Sequence, residues 1–353
     1  MGNISAILFP EEFAEMNEPL VSVICGFFNR PSLVARTLSG IKNQTYKNIE
    51  VIVFDDASTD NTFDVICKFV NLHGDDRFKV YRHEKNIGFT RGIINAINKS
   101  SGEFIVMHDS GDYSFPRRIE LQLKEMLSNK NISVVGSHYV NHIDKNGFEI
   151  IRKPNHDDAT YEDIVSDSGF THGEVMIRRS FYDRVGGYRE EFKFSQDSDL
   201  WLRLIKISKF KTVKEILYVR HIQFSGISYK PDSFAAQAAF YEFARFVSGS
   251  ADGGASLLTG LPDRNIFDVY SYERVDVQKR IFRGALRGVL FGDYIQAKEV
   301  AKKYVANKYK KIIVIFASVV LAGCFGKIIN PVVRNIFGMK SHGYANLEKI
   351  EHI

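Results

Sequence analysis

The sequence contains few cysteines and no apolar run long enough to cross a membrane. Its three cysteines, Cys25, Cys67 and Cys324, lie far apart, in neither a disulfide framework nor a zinc spacing, so we expect a reducing compartment. An uncharged apolar run of 14 residues begins at Ile312, whereas a helix needs ~20 such residues to span a bilayer. We therefore expect this run to form a packed helix or an interfacial anchor.

Several sequence features of well-defined protein classes are also missing. The N-terminus carries Glu11, Glu12 and Glu15 and no basic leader, so we expect no export and a cytoplasmic location. The segment FFNRPSL contains neither GxGxxG nor a glycine-rich phosphate loop, which argues against a dinucleotide-dependent oxidoreductase and a nucleotidyltransferase. The basic residues are not interleaved with an aromatic RNA-binding motif, so we expect no nucleic-acid partner.

The composition is that of an ordinary globular protein. The chain has 353 residues, of which 44% are apolar and 25% charged, enough for one large domain and an appendage. Its formal net charge is +5. Six lysines gather late in the chain, with Glu299 as the only acid among them: Lys298, Lys302, Lys303, Lys308, Lys310 and Lys311. A basic stripe of this kind suits an anionic surface.

Strand and helix patterns alternate over the first third of the chain. Short runs rich in β-branched and aromatic residues predict four strands, at residues 20–28, 49–56, 78–83 and 103–109, of which the first two read as buried. Amphipathic segments lie between them, with Ser32 and residues 58–60 as candidate helix starts. This alternation predicts an open α/β sheet with a nucleotide site at the C-terminal ends of its strands.

Three acidic clusters are candidates for chemistry. The pair Asp55-Asp56, after the second strand, could accept hydrogen bonds from a base or ribose, or simply precede a helix. Asp109 and Asp112 share a turn after the fourth strand, where two carboxylates favour Mg²⁺ or Mn²⁺, although such turns are common without metal. Asp197 and Asp199 open a predicted helix at residues 198–208, where one would cap the helix and one could accept a proton.

Six segments, taken in order, resemble glycosyltransferases of family 2. They lie within residues 20–230 and read VSVICGFFNR, IEVIVFDDASTDNT, NIGFTRGIINAI, FIVMHDSGDYSFPRRIE, HGEVMIRRSFYDRVGGY and QDSDLWLRL. The resemblance implies an α/β fold of the GT-A type, a Rossmann-like mixed sheet flanked by helices, with a helical C-terminal extension. It also implies inverting transfer of a sugar from a nucleoside-diphosphate sugar, by default UDP-linked, to a saccharide or lipid-linked saccharide in cell-surface polysaccharide synthesis.

The resemblance divides the chain into three parts. Residues 1–18 would be a lead-in, residues 19–231 the catalytic domain, and residues 232–353 a helical C-terminal region. Within the catalytic domain, residues 19–116 would bind the nucleotide sugar and residues 117–231 would form the acceptor side. A turn at Lys145-Asn146-Gly147 predicts a hairpin in that second half.

The resemblance assigns the donor and the metal to the first half. Asp56, in the family's DDxSxD segment, would contact the nucleotide base, and Phe28 would lie against the ring of that base. Asp109 and Asp112 fall in the segment of the metal-binding DxD motif, so both would hold a divalent cation, Mn²⁺ or Mg²⁺, and Asp109 would also face the donor. Gly111 stands where the second acid of DxD is usual, so Asp112 or water would have to supply the missing ligand.

The acceptor side carries the implied general base. Asp197 matches the acid of the family's ED segment, although Gln196 replaces the preceding Glu. His172 would lie near the acceptor and His221 would be a further metal ligand, although a histidine without a partner is more often structural. Gly111 and Gln196 also motivate an alternative, a non-catalytic or regulatory protein that keeps the GT-A fold with a degraded metal site.

Other side chains of this half have simpler interpretations. Trp201 stands in a helical apolar pattern, so we expect it in the core, whereas Tyr113 remains a candidate for stacking on a sugar. Arg178, Arg179 and Arg203 flank predicted helices, where charged residues usually face solvent.

The segment 298–337 combines the lysine stripe with the apolar run. Such a segment is typical of a peripheral membrane anchor, which would place the protein at the inner face of the cell membrane. The alternative is a helix docked on the catalytic domain or on the partner of a homodimer.

Overall fold

The computed structural model describes residues 18–167, 169–224, 230–250, 254–259, 261, 264–323, 332 and 343–344. Within this part the strands are β1 (Val21–Phe27), β2 (Ile49–Asp55), β3 (Phe78–Arg82), β4 (Phe104–Asp109), β5 (Tyr113–Ser114), β6 (Ile132–Ile143), β7 (Phe148–Arg152), β8 (Met176–Arg178) and β9 (Lys209–Ile222). The α-helices are α1 (Val34–Lys42), α2 (Thr62–His73), α3 (Phe89–Asn98), α4 (Arg118–Ser128), α5 (Tyr161–Asp167), α6 (Arg179–Arg184), α7 (Gln196–Leu204), α8 (Pro231–Ser248), α9 (Ala255–Leu258), α10 (Ile266–Val269), α11 (Val275–Leu290), α12 (Tyr294–Tyr304) and α13 (Lys308–Ala322).

The strands form one mixed sheet in the order β3-β2-β1-β4-β8-β6-β9-β5, with β7 added as a hairpin partner of β6. The first four strands run parallel to one another, as the alternating pattern predicts. β8 is antiparallel to both β4 and β6, and it therefore joins the nucleotide-binding half to the second half. The predicted hairpin turn is confirmed, and Gly147 within it has a φ of 67°, which glycine adopts without strain.

Helices cover both faces of the sheet. Alternate residues of β1 show the two layers, because Val23 and Cys25 pack with α1, whereas Ile24 packs with α3 and the C-terminal helices. β1, β2 and β4 are buried on both faces and read as continuous apolar runs, and all four predicted strands agree with β1 to β4 within one or two residues. The predicted α/β architecture, with helices on both sides of a mixed sheet, is confirmed.

The helix starts differ from the sequence prediction. Ser32 caps no helix, because it lies inside a 3₁₀ turn formed by Pro31–Leu33 that precedes α1. α2 begins at Thr62, and Asp60 lies before it, where its Oδ1 accepts the Thr62 N–H at 3.0 Å. α7 starts two residues earlier than predicted and ends at Leu204, so the segment after Leu204 is not helical.

Three side-chain interpretations of the second half are now decided. Trp201 is fully buried and its Nε1 donates to the Phe170 carbonyl at 3.1 Å, which confirms a core position. Tyr113 is also fully buried, so the expectation that it stacks on a sugar is wrong. The expectation of solvated arginines is wrong for Arg178, which is buried and donates to the carbonyl of Ile132.

The C-terminal helices pack on the α/β domain. α8 packs against α7, and one core cluster continues from the sheet into α8, α11, α12 and α13. The division at residues 231–232 stays a prediction, because this core runs through both sides of it. Residues 1–17 of the predicted lead-in, and all of residues 324–337 except 332, lie outside the described part of the chain. No helix within the described part is long and apolar enough to cross a membrane.

Candidate active site

The C-terminal ends of β1, β2 and β4 lie side by side at one edge of the sheet. Phe27, the last residue of β1, pairs with Asp55 of β2, and β4 ends on the other side of β1 at Asp109. Phe28 and Asp56 are the next residues after β1 and β2. The three predicted donor-side residues therefore lie at one edge, because the strands that carry them are parallel and adjacent.

Asp56 is held in a fixed orientation by the loop that leads into α3. Its Oδ1 lies 2.9 Å from His83 Nδ1 and accepts the Ile87 N–H at 3.0 Å, while its Oδ2 accepts the Gly88 N–H at 3.0 Å. The side chain of Asn86 donates to the Asp56 carbonyl at 3.0 Å. The carboxylate is only 4% exposed, so its direction is set by the protein before any ligand binds.

Three residues with left-handed backbone conformation flank these candidates. Asn29, Ala57 and Ser195 have φ angles of 52°, 58° and 54°, which are uncommon for residues with a side chain. Asn29 is held by its Oδ1, which accepts the Thr59 N–H at 2.9 Å. Strained backbone of this kind concentrates at functional sites, and here it follows Phe28 and Asp56 and precedes Asp197.

Asp109 and His172 form a partly buried ion pair. The Asp109 Oδ1 and the His172 Nδ1 are 2.8 Å apart. Burial lowers the pKa of His172, but the adjacent Asp109 carboxylate outweighs burial, so the pKa is raised above its usual value. Burial likewise raises the pKa of Asp109, and the His172 and Arg220 cations reverse this, so that pKa is lowered. Both shifts favour the charged forms, a carboxylate on Asp109 and an imidazolium on His172.

Asp112 is buried beside Asp109 and already has partners for both carboxylate oxygens. Its Oδ1 accepts the backbone N–H of His221 at 2.8 Å, and its Oδ2 accepts the hydroxyl of Tyr218 at 2.9 Å. Burial and the negative charge of Asp109 raise the pKa of Asp112 to about 7, although Arg220 opposes the shift. The turn thus favours either a proton on Asp112 or a nearby cation.

Gly111 adopts a backbone conformation in this turn that favours glycine. Its φ is +98°, and a Cβ added there would lie 2.9 Å from Leu33 Cδ1. Its N–H donates to Thr37 Oγ1 at 2.8 Å, and its carbonyl accepts from the Arg36 guanidinium at 3.1 Å. An aspartate at this position would be strained, which gives a physical reason why the second acid of the DxD motif is missing.

The turn fits a hard divalent cation with two carboxylates as its protein ligands. Asp109 and Asp112 supply oxygen donors, which Mg²⁺ and Mn²⁺ prefer, and their mutual repulsion is what a cation relieves. The ring of His221 turns the other way, with its Nδ1 2.7 Å from Asp144 Oδ1. Ligand atoms of His142, Asp144 and His221 all lie within 4.8 Å of one another, so His221 belongs to a second cluster next to the turn.

Asp197 lies in the first turn of α7. The prediction that Asp197 or Asp199 caps this helix is wrong, because the Asp197 Oδ1 accepts the Ser198 N–H at 2.8 Å and Asp199 pairs with Arg203 at 2.6 Å. Burial raises the pKa of Asp197, and His172 partly offsets that effect. Asp199 is therefore engaged in an ion pair and has a structural role. Asp197 remains the candidate base for an acceptor hydroxyl.

Sequence reasoning missed the residues that support these carboxylates. His83 follows β3 directly, so the same strand-end argument that found Asp56 would have found it. Tyr218 and Arg220 lie on β9, whose pattern carries no such signal. Arg118 is fully buried, donates to the Met107 carbonyl at 3.0 Å, and its guanidinium lies 4.8 Å from the ring centre of Tyr218. It positions Tyr218, which in turn holds Asp112.

Known proteins share the sequence pattern and the fold. The model of the family "Glycosyl transferase family 2" matches residues 22–186. EpsE of Bacillus subtilis, named as a glycosyltransferase, is 31% identical over 194 residues, which are 53% of this chain and 67% of EpsE. UDP-Glc:alpha-D-GlcNAc-diphosphoundecaprenol beta-1,3-glucosyltransferase WfgD of Escherichia coli is 28% identical over 56% of this chain and 74% of its own length.

The chain is also similar to parts of larger enzymes and to a solved structure. The chain spans less than a quarter of the hyaluronan and chondroitin synthases of Pasteurella multocida that it matches. The solved mannosyltransferase PcManGT of Pyrobaculum calidifontis, in complex with GDP-Man and Mn²⁺, superimposes with a TM-score of 0.55 over 90% of this chain and 84% of its own, at 16% identity. At that identity the likeness concerns the fold, which is of the GT-A type. The chain belongs to glycosyltransferase family 2 and is a glycosyltransferase.

Proposed function

We propose that the protein transfers a sugar, with inversion, from a UDP-sugar to a hydroxyl of a lipid-linked saccharide in cell-surface polysaccharide synthesis. The name of WfgD supports both a UDP-linked donor and a lipid diphosphate acceptor. The chain retains Asp197 as the proposed base, Phe28 and Asp56 on the donor side, and the carboxylates of Asp109 and Asp112. Their retention supports an active enzyme over a non-catalytic GT-A protein.

The observation that carries the proposal is the arrangement of Asp109, His172 and Asp197. The His172 ring contacts Asp109 at 2.8 Å, and the charge of Asp197 also raises the pKa of His172. The structure therefore brings the end of β4 and the start of α7 within electrostatic range of one another. A donor diphosphate at the first and an acceptor hydroxyl at the second would meet there.

Each residue then has a role in a single displacement. Phe28 and Asp56 bind the nucleotide base. Asp109 and Asp112 would hold a divalent cation, which when bound would supply positive charge to the departing nucleoside diphosphate. The imidazolium of His172 adds positive charge on the acceptor side. Asp197 accepts the proton of the acceptor hydroxyl as its oxygen bonds to the anomeric carbon and the bond to the diphosphate breaks, which inverts that carbon.

Calorimetric titration with UDP, GDP and dTDP tests the donor site. We expect one nucleotide to bind with Mn²⁺ or Mg²⁺ and to bind much more weakly with EDTA. Asp56→Ala should weaken this binding at least about tenfold, because it removes a buried partner and loosens residues 86–88. Asp76→Ala, at an exposed loop position, serves as the matched control. Absence of binding by all three nucleotides would support the non-catalytic alternative.

The location at the inner face of the membrane rests on α13, and we propose that this helix binds an anionic lipid surface. Its side chains at Ile312, Ile313, Phe316 and Val319 are 60%, 52%, 67% and 56% exposed. Lysines at its N-terminal end complement anionic headgroups. Two lysines of the stripe already have acidic partners within the protein, because Lys302 pairs with Glu299 and Lys303 pairs with Asp232. The stripe therefore carries less unpaired positive charge than the sequence suggests.

Vesicle co-sedimentation tests this helix. The double variant Ile312→Glu/Phe316→Glu should lower binding to phosphatidylglycerol vesicles at least about tenfold, because it places charge on the apolar face. Leu72→Glu makes the same kind of change at an exposed position of α2 and should leave binding unchanged. Equal binding by wild type and the double variant would contradict the proposal.

A further inference from the structure

A second large cleft lies between the sheet and the C-terminal helices, away from the donor edge. Its volume is about 1520 Å³, and it is lined by the segment after β7, by α8 and α11, and by the loops before β8 and α7. Neither Phe28 nor Asp56 lines it. The cleft therefore differs from the site proposed for the nucleotide.

The lining of this cleft is strongly basic. Eight arginine and lysine side chains face it, against three acidic ones, Glu174, Glu242 and Asp276. Glu242 pairs with Arg245 and Arg280, and Asp276 pairs with Arg274. In the described part of the chain, no carboxylate lies within ion-pair distance of Lys153, Lys279 or Arg283. These three cations leave the cleft with an excess of positive charge.

One end of the cleft reaches the proposed acceptor side. Thr171 and Ser195 line the cleft, and they lie one residue before His172 and two residues before Asp197. A molecule in the cleft can thus extend to the proposed base.

Glu174 supplies an independent sign of a ligand. The side chain is fully buried and lines the cleft, and its Oε1 accepts the Thr171 N–H at 3.2 Å. Among the described residues, none forms a hydrogen bond with its Oε2. Burial raises the pKa of Glu174 to about 8, so near neutral pH it carries a proton that it can donate to a ligand oxygen.

We propose that this cleft binds the phosphate or diphosphate group of the saccharide acceptor, held by Lys153, Lys279 and Arg283, with the saccharide directed toward Asp197. The assignment rests on the proposed transferase function and adds the site and the residues that would bind the acceptor's phosphate. Cations from two elements, Lys153 after β7 and both Lys279 and Arg283 on α11, line the same cleft. They suit a phosphate, because guanidinium and ammonium groups form charge-assisted hydrogen bonds to its oxygens.

Calorimetry with synthetic probes tests the cleft. The probes are an N-acetylglucosamine that carries an undecyl chain through a diphosphate, the same undecyl glycoside without phosphate, and inorganic diphosphate. We expect the wild type to bind the diphosphate glycoside at least about tenfold more tightly than either other probe. This preference should shrink as NaCl is raised. Equal binding of the diphosphate and neutral glycosides would overturn the proposal, and equal binding of inorganic diphosphate would overturn its assignment to the acceptor.

A matched pair of double variants locates the effect. Lys279→Gln/Arg283→Gln should remove the preference for the diphosphate glycoside, whereas Lys124→Gln/Lys130→Gln, exposed and outside the cleft, should keep it. UDP titration of the same variants separates the two proposals. Loss of the preference with unchanged UDP binding supports the cleft assignment. An unchanged preference in the cleft variant refutes it, and absence of UDP binding in the wild type refutes the transferase proposal instead.

Discussion

Asp197→Asn should lower turnover by at least about 10²-fold while nucleotide affinity stays within about twofold of wild type. Asparagine keeps the shape of the side chain and can still accept the Ser198 N–H, but it cannot take a proton. The proposed nucleotide site lies at the ends of β1, β2 and β4, and Asp197 lies on α7. The measurement is the steady-state rate of nucleoside-diphosphate release with acceptor, beside calorimetric titration of the nucleotide.

Two comparisons make the Asp197 result specific. Asp183→Asn changes an exposed aspartate on α6, outside the site, and should keep full turnover. Asp199→Asn should instead lower the free energy of unfolding, because it breaks the buried pairs with Arg189 and Arg203. Wild-type turnover in Asp197→Asn would show that another group accepts the proton.

The pH dependence of turnover is a second test of Asp197 as the base. The base works only as a carboxylate, so kcat/KM should fall as pH drops through the pKa of Asp197. Burial raises that pKa, so the acid limb should lie above the usual range of an aspartate. Asp197→Asn should lose this limb in whatever residual activity it keeps. An acid limb that persists in the variant would belong to another group.

The positions of the donor-side residues could be predicted from the sequence, because each depends only on a short stretch of neighbouring residues. β1, β2 and β4 are short apolar runs buried on both faces, and Asp56 and Asp109 stand where such runs end. Parallel pairing of neighbouring strands then brings those ends together. The same logic places Asp197 only approximately, because it depends on a helix start, and the observed start differs by two residues.

The support of the site could not be predicted, because its contacts join residues far apart in sequence. Asp112 is held by Tyr218 and His221, more than 100 positions later, through the pairing of β5 with β9. β9 also pairs with β6 through several irregularities, which hide its periodicity. The His221 ring meets Asp144 at the end of β6, so the prediction that it binds the metal at the Asp109 turn stays untested. Only the folded sheet shows these neighbours.

Asp109→Asn should abolish the dependence of nucleotide binding on Mn²⁺ or Mg²⁺ and lower kcat/KM by on the order of 10²-fold or more. The DxD segment lacks its second acid here, so Asp109 is one of only two carboxylates in the turn, and its loss leaves Asp112 alone.

The variant would also lose the ion pair with His172, whose pKa should then fall, because burial lowers it and the opposing charge is gone. NMR titration of the His172 ring reports that fall independently of activity. If Mn²⁺ strengthened nucleotide binding equally in the wild type and in Asp109→Asn, the cation would be held elsewhere, and the His142, Asp144 and His221 cluster would be the next place to test.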